Sequence, residues 1–242
     1  MSKQTDLINV TDAITVDGSN NVGIGTSSPS FEAGSGGGLE VNYSAGLGSH
    51  IKLTDSASGA GGSNGFDLYA FNTSGYIENY EAGSIVFRNG GSERMRIDAT
   101  GAVTMPAQPA FLVRPSVGQT NLPNGVTTVI FGTEIFDQNS DFASNTFTAP
   151  VAGKYHLDAN LWLEQVDTAI NYLYLRLLTS NRNYNDIISP RFSSDPTYWN
   201  FQCSVLADMD AGDTASVLYS QSGTSAQVDI GDKSFFSGYL VA

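Results

Sequence analysis

The chain has 242 residues, with 24 Asp and Glu against 11 Lys and Arg, and its formal net charge is −13. This charge excludes a nucleic-acid partner and an anionic membrane surface, because both bind clustered basic side chains. Membrane insertion is not expected, since no segment reaches the roughly 20 apolar residues of a spanning helix. A single cysteine, Cys203, excludes an intrachain disulfide framework and lies in an alternating run that favours a small buried side chain.

Glycine divides the chain in two. Residues 1–105 hold 18 of the 26 glycines and 8 of the 26 aromatic residues, and residues 106–242 hold the rest. Glycine buries no side chain and loses the most entropy on ordering. We therefore predict two domains, a glycine-rich region over 1–105 that cannot build its own core and a core-forming domain over 106–242.

The first region consists of short apolar segments broken by Gly, Ser and Asn, without a helical period. Residues 1–12 fit either a capping turn or a plug into a larger assembly. The segments predict nine strands: Ile14–Val16, Val22–Ile24, Leu39–Val41, Ile51–Leu53, Phe66–Phe71, Tyr76–Tyr80, Ile85–Arg88, Met95–Ile97 and Val103–Met105.

An internal repeat marks both ends of this region. Val16–Ile24 aligns without gaps on Ile97–Met105, and each copy predicts a strand, an Asp-led turn and a second strand. Asn21–Thr26 and Glu93–Asp98 resemble segments that recur in bacteriophage tail fibres. The resemblance implies an intertwined, trimeric β-shaft that attaches to other virion proteins. Shared packing of three chains would supply the core that one glycine-rich chain lacks.

The second region is organised around Phe147–Leu157 and Phe235–Val241. The first contains a Pro-x-x-Gly turn between apolar positions, which predicts a strand, a tight turn with a left-handed glycine, and a strand. The second is a strand pattern at the end of the chain, where an unpaired apolar strand would be an exposed edge.

These two segments resemble the globular head of the complement first-component and tumour-necrosis-factor superfamily. Pro109–Phe111 resembles its first strand, Val129–Phe131 its second, and Asp208–Val217 the start of a later strand. Thr214 and Ala215 depart from it, because the family usually has a larger apolar residue after the aspartate. The resemblance implies an all-β, ten-stranded jelly roll that associates as a homotrimer.

The segment Asn171–Leu177 alternates cleanly between leucines and polar or aromatic residues. Its leucines are expected to line the core. The opposite face is too apolar for ordinary surface and predicts a subunit interface. Its members are Tyr172, Tyr174 and Arg176.

No catalytic constellation is visible, and we expect no enzyme activity. His156 follows the turn of the jelly-roll motif, which favours a structural role, and His50 has no acid or cysteine at ligand spacing. Gly23-Ile24-Gly25 lacks the third glycine and the helix of a dinucleotide site. Accidental carboxylate pairs are certain among 24 acids, so they do not indicate a glycosidase.

Two acidic loops are candidate calcium sites, since calcium takes six to eight oxygen ligands. Solvated turn acids are the plainer alternative for both, and no other cofactor is expected. The candidate ligands are Asp137, Asn139 and Asp141 in one loop, and Asp208, Asp210 and Asp213 in the other.

Ser180–Phe201 is the candidate receptor-binding segment, because aromatic rings beside amide and acidic groups suit a sugar. Packing of Tyr198 and Trp199 into the core is the equally weighted alternative. The candidate contacts are Tyr184, Asn185, Asp186, Tyr198 and Trp199.

Together, these features predict a structural virion fibre of a bacteriophage, homotrimeric, with a head that contacts a host surface glycan or outer-membrane protein. A capsid decoration or fibre-anchoring component without a receptor role is the alternative. A polysaccharide-cleaving spike is the third hypothesis.

Overall fold

The computed structural model describes residues 14–19, 21–29, 31, 38–43, 48–224 and 226–242. Residues 1–12 and most of the Gly34–Gly38 tract lie outside this range. The described residues form strands, turns and loops without a helix, so none of them belongs to a helix that could span a membrane. The chain divides into two compact units, which meet in the sequence at Thr104 and Met105.

The first unit contains three separate antiparallel or mixed sheets of three strands each, in chain order. All nine predicted strands are confirmed, with ends that differ by at most three residues. The strands are β1 (Ile14–Val16), β2 (Val22–Ile24), β3 (Leu39–Val41), β4 (Ser49–Leu53), β5 (Phe66–Phe71), β6 (Ser74–Asn79), β7 (Ile85–Asn89), β8 (Ser92–Ile97) and β9 (Val103–Thr104).

The predicted repeat is also confirmed, because the two Asp-led turns are built by the same hydrogen bonds. Asp17 donates its backbone N–H to Asn21 O at 3.0 Å, and Asp98 donates to Ala102 O at 3.0 Å. In each turn the aspartate Oδ1 accepts from the N–H groups two and four residues later. Such local acceptance is why aspartate favours turns, and it lowers the pKa of both carboxyls.

A β-bulge between β7 and β8 changes the alternation of the predicted Glu93–Asp98 motif. The register shifts between Phe87 and Arg88, so that Arg94 is the extra residue. Glu93 and Arg96 therefore share a face, and the Arg96 guanidinium makes two hydrogen bonds to the Glu93 carboxylate, at 2.9 and 2.5 Å. On the other face Ile85 and Phe87 lie opposite Ile97 and Met95, whereas Val86 lies opposite Arg96 on the polar face.

The second unit is a sandwich of a seven-stranded and a six-stranded sheet. It has thirteen strands within its described residues, where a ten-stranded jelly roll was predicted, because short strands of two to four residues pair at the sheet margins. The strands are β10 (Ala110–Arg114), β11 (Gln119–Leu122), β12 (Gly125–Thr128), β13 (Thr133–Gln138), β14 (Phe142–Ala143), β15 (Thr146–Thr148), β16 (Gly153–Glu164), β17 (Ile170–Thr179), β18 (Asn183–Ile188), β19 (Tyr198–Met209), β20 (Thr214–Gly223), β21 (Val228–Ile230) and β22 (Phe235–Leu240).

The Pro-x-x-Gly turn carries the chain from one sheet to the other. β15 belongs to the six-stranded sheet and β16 to the seven-stranded sheet, so the turn is a crossover and not a hairpin. Gly153 does not adopt the predicted left-handed conformation. A Cβ there would lie 2.6 Å from Ala242 O and 2.6 Å from Leu240 Cδ1, so close approach of the C-terminus requires the glycine.

The predicted last strand, β22, lies inside the seven-stranded sheet. It pairs with β10 on one side and with β16 on the other. A Cβ on Gly238 would lie 2.7 Å from Leu157 Cδ2 and 2.8 Å from Phe111 Cε1, so this glycine allows core side chains to cross the strand. β22 is therefore part of the sandwich, and its Phe236 lies in the core.

The prediction of a strand at Val129–Phe131 is wrong. Val129 and Phe131 are buried and Ile130 is exposed, but the segment connects β12 in one sheet with β13 in the other. Side chains accept two of its backbone N–H groups, from Ile130 to Gln119 Oε1 and from Phe131 to Asn145 Oδ1. The alternating burial resembles that of a strand, whereas the hydrogen bonds are those of a connection between the two sheets.

The core lies between the two sheets of the second unit. The Phe111 ring lies 4.7 Å from that of Phe147 and 4.9 Å from that of Phe236, measured between centroids. As predicted, the leucine face of β17 is buried: Leu173, Leu175 and Leu177 are fully inaccessible.

Candidate interaction surfaces

Each sheet of the first unit has one apolar and one polar face. In the β4–β5–β6 sheet, Leu68 lies opposite Ile51 and Ile77, and these residues share a face. The β1–β2–β3 sheet follows the same pattern, and so does the β7–β8–β9 sheet except for Val86, which lies opposite Arg96 on the polar face. The most exposed apolar residues are Ile14, Val16, Ile24 and Leu39 in the first sheet, Ile51, Leu53, Leu68 and Ile77 in the second, and Phe87 and Val103 in the third.

This unit has no hydrophobic core of its own within its described residues. The buried aliphatic and aromatic side chains of the described chain run from Phe111 to Phe236, all in the second unit. A three-stranded sheet needs a covered apolar face for stability. We call the three apolar faces the shaft faces. Covering them with another surface would stabilise the unit.

The polar face of the second sheet is, in contrast, largely satisfied within the chain. His50 was expected to lack a nearby acid, but its Nδ1 lies 2.8 Å from Oδ2 of Asp67, which is 2% exposed. The His50 ring stacks on Tyr69 and Tyr69 stacks on Tyr76, with centroids 4.7 and 4.6 Å apart. The Tyr69 hydroxyl donates to Glu78, and this bond raises the pKa of Tyr69 to about 12.

In the second unit, Tyr172, Tyr174 and Arg176 lie together on the outer face of β17, as predicted. The rings of Tyr172 and Tyr174 are nearly parallel, 6.3 Å apart. The Arg176 guanidinium lies 5.0 Å from the Tyr174 ring centroid and donates to the Tyr174 hydroxyl at 2.7 Å. These three side chains bind one another, and their role in a subunit interface stays a prediction.

The five candidate receptor contacts are not brought onto one surface. Asn185 joins the β17 face, where its Oδ1 accepts from Arg176 Nε at 2.8 Å. Tyr198 lies instead on the outer face of the other sheet, where its ring centroid is 5.2 Å from that of Trp162. Because the two outer faces point away from each other, Asn185 and Tyr198 cannot contact one small ligand.

The other three candidates are strand residues too. Tyr184 and Trp199 are half-buried against the core, and Trp199 packs edge-on against Phe192 at 5.0 Å. Asp186 is exposed on β18. Trp199 therefore packs against the core, as the alternative interpretation predicts, whereas Tyr198 points outward and is 58% exposed.

The first candidate calcium loop is a tight turn in which the Asp137 carboxylate accepts backbone hydrogen bonds. Asn139 and Ser140 both have positive φ, at 74° and 60°. Asp137 accepts the N–H groups of Asp141 and Phe142 through its two oxygens, at 3.1 and 3.0 Å. Asp141 Oδ2 is buried without a partner in the described chain, and burial together with the neighbouring Asp137 raises the pKa of Asp141.

The second candidate loop is occupied by contacts within the chain. Asp208 forms an ion pair with Lys154, which lowers the pKa of Asp208. Asp213 Oδ2 accepts from Asp210 N at 2.8 Å and from Asn181 Nδ2 at 2.6 Å. Within the ranges that the structure describes, no three His, Cys, Asp or Glu side chains converge to hold a metal ion.

Two isolated side chains behave as packing groups. His156 Nε2 lies 3.2 Å from Ser204 Oγ, and its ring tilts against Tyr239 at 5.3 Å. Cys203 is buried, and burial raises the pKa of its thiol.

No protein-family model matches the chain, and no curated protein sequence matches it significantly. Similar solved structures include the globular domain of the zebrafish complement 1qA protein, with 19% identity, a TM-score of 0.41 and coverage of 56% of this chain and 98% of that chain. Murine APRIL at pH 8.0 shows 12% identity and a TM-score of 0.42, covering 55% of this chain and 99% of that chain. These values assign neither an activity nor a partner to this chain.

Proposed function

We propose that this chain is the protomer of a homotrimeric structural fibre of a bacteriophage virion, with its second unit contacting the host cell surface. The observation that carries the proposal is the set of shaft faces: three consecutive sheets leave their apolar sides exposed on one chain. Copies of the same chain are the natural partners, because an uncharged apolar face is complementary to itself.

The distribution of burial supports different roles for the two units, with the first unit forming the trimeric fibre and the second contacting the host. The second unit has a closed core, whereas the first unit has no apolar core cluster among its described residues. In this proposal the first unit gains most of its burial by association. Full burial of a Val, Leu or Ile side chain is worth about 1.5–3 kcal/mol. The ten exposed residues of the shaft faces are about half buried already, so their further burial offers on the order of 10 kcal/mol per chain.

The phage assignment rests on the sequence segments that resemble tail fibres and on the repeated Asp-led hairpin at Asp17 and Asp98. In this proposal the N-terminal region attaches to other virion proteins. Three copies of one host-contacting surface would bind a repetitive glycan with avidity, even if each site were weak.

Two measurements test the proposal. Light scattering of the full chain should give about 77 kDa, three times the 25.6 kDa of one chain. A fluorescently labelled trimer should bind host cells and compete with infection. A monomer would refute the fibre, whereas a trimer that binds no cells would favour the decoration or anchoring role.

A further inference from the structure

We propose that the second unit carries a glycan-binding notch formed by Trp162, Glu164, Tyr198 and Lys233 on the outer face of its seven-stranded sheet. The inference rests on the proposed function, since it names the surface that would contact a host glycan. Only Tyr198 was among the residues predicted from the sequence.

The two aromatic rings pack side by side on this face. Trp162 projects from β16 and Tyr198 from β19, and their planes meet at 43° with centroids 5.2 Å apart. The exposed fraction of Tyr198 is 58%. Two tilted rings offer an apolar surface of the kind that packs against the C–H face of a pyranose, whereas fully stacked rings would cover each other.

The turn between β21 and β22 holds the notch in shape. Ser234 Oγ accepts from Trp162 N at 2.9 Å, and Gly231 N donates to Trp162 O at 2.7 Å. A Cβ on Gly231 would lie 2.6 Å from both Trp162 Cδ1 and Glu164 Oε1. Glu164 Oε1 also accepts from the Trp162 indole N–H at 2.9 Å, so the indole is fixed before any ligand arrives.

The polar groups around the rings are only partly used by contacts within the chain. The Tyr198 hydroxyl and the second oxygen of Glu164 have no hydrogen-bond partner among the described residues. The Lys233 ammonium lies 5.9 Å from the Trp162 ring centroid and 3.6 Å from Asp232, and its side chain is 69% exposed. A donor, an acceptor and a group that is both thus surround an apolar floor, which is the pattern that sugar hydroxyls require.

The β17 face shows the opposite arrangement, although it also has two tyrosines and a basic residue. There, Arg176 donates to both Tyr174 and Asn185, so the polar atoms satisfy one another. For this reason we assign glycan binding to the Trp162–Tyr198 surface and not to the β17 face.

A groove of about 430 Å³ lies beside the notch and shares Lys233 with it, and Asp232 and Ser234 also line this groove. Leu112 and Phe235 lie along this groove, and Arg114 lines it as well. A glycan chain with one residue in the notch could therefore extend past the β21–β22 turn. We assign the notch to a pyranose within such a chain.

The test is saturation-transfer NMR on the full chain with the methyl glycosides of glucose, galactose, mannose and N-acetylglucosamine. We expect at least one glycoside to receive saturation at its ring C–H protons. Tyr198→Ala should weaken that binding about three- to ten-fold, because it removes one aromatic contact. Glu164→Gln should also weaken it, while it keeps an acceptor for the indole N–H.

Tyr239→Ala is the matched control, since Tyr239 tilts against His156 at 5.3 Å on the same sheet face. His156 is six residues from Trp162 along β16, about 20 Å away. Absence of transfer to every glycoside, or equal binding by Tyr198→Ala, would overturn the proposal. A decaproline peptide that shifts the Trp162 indole signal, with no glycoside bound, would likewise overturn it in favour of a peptide site.

Cell binding keeps this proposal separate from the proposed function. If the chain binds host cells and Tyr198→Ala binds equally well, the notch is refuted and the host-contact role stands. If glycosides bind at the notch but the chain does not bind host cells, the notch stands and the host-contact role fails.

Discussion

Replacing Ile77 by lysine should dissociate the trimer without unfolding the second unit. Ile77 lies on the shaft face of β6 and is 54% exposed on a single chain, so the substitution costs the isolated chain little. In the trimer the exposed half would be buried, which is worth about 1 kcal/mol per copy and about 3 kcal/mol per trimer. Three unpaired buried ammonium groups would add several kcal/mol each.

The assay is sedimentation equilibrium over a range of micromolar concentrations. We expect the wild type to remain near 77 kDa and Ile77→Lys to approach the 25.6 kDa of one chain. Ser74→Lys is the matched control, because it adds the same charge to the exposed opposite face of the same strand. Equal dissociation constants for the wild type and Ile77→Lys, or equal weakening of the trimer by Ser74→Lys, would refute the assignment of the shaft face.

Three further predictions concern stability. Asp98→Ala should lower the thermal midpoint of the first unit at neutral pH. The loss should shrink as the pH falls from the ordinary value near 3.8 through the depressed folded-state pKa of Asp98, and a pH-independent loss would contradict this. Asp141→Asn should stabilise the second unit at neutral pH, since the raised pKa of Asp141 marks a charge that folding disfavours, and the gain should vanish below about pH 4. If calcium instead stabilises the wild type and Asp141→Asn loses that stabilisation, the result would support the calcium site. Gly238→Ala should lower the free energy of unfolding in urea by about 1–3 kcal/mol, because its Cβ would overlap Leu157. Gly212→Ala is the comparison: its Cβ would meet no other atom, so it measures only the strain of a left-handed backbone conformation.

Strand positions and their faces could be predicted from local sequence. Phe66–Phe71 has the predicted bounds, and the leucines of β17 face the core as their alternation indicates. The reason is that a strand's side chains alternate with a period of two, so the pattern within a few residues determines which face is buried. The Asp17 and Asp98 turns are predictable for the same reason, since their hydrogen bonds span four residues.

The candidate sites depended on contacts between distant residues, and here sequence reasoning failed in part. His50 and Asp67 are 17 residues apart, and no local signal pairs them. Tyr198 was grouped with Asn185 because both lie in one segment, but their strands belong to different sheets. A signal for Trp162 was present, as an outward aromatic position on β16 beside Glu164, but its partner strand could not be inferred.

The sequence by itself determined the all-β class, the glycine-poor and glycine-rich halves, the nine strands of the first unit and its two Asp-led turns, because each depends on side-chain chemistry within a few positions. Only the tertiary structure decided which strands pair, that the Pro150–Gly153 turn crosses between sheets, and that Trp162, Tyr198 and Lys233 meet. Those choices depend on the free energy of closing loops and filling one core, which is a property of the whole chain.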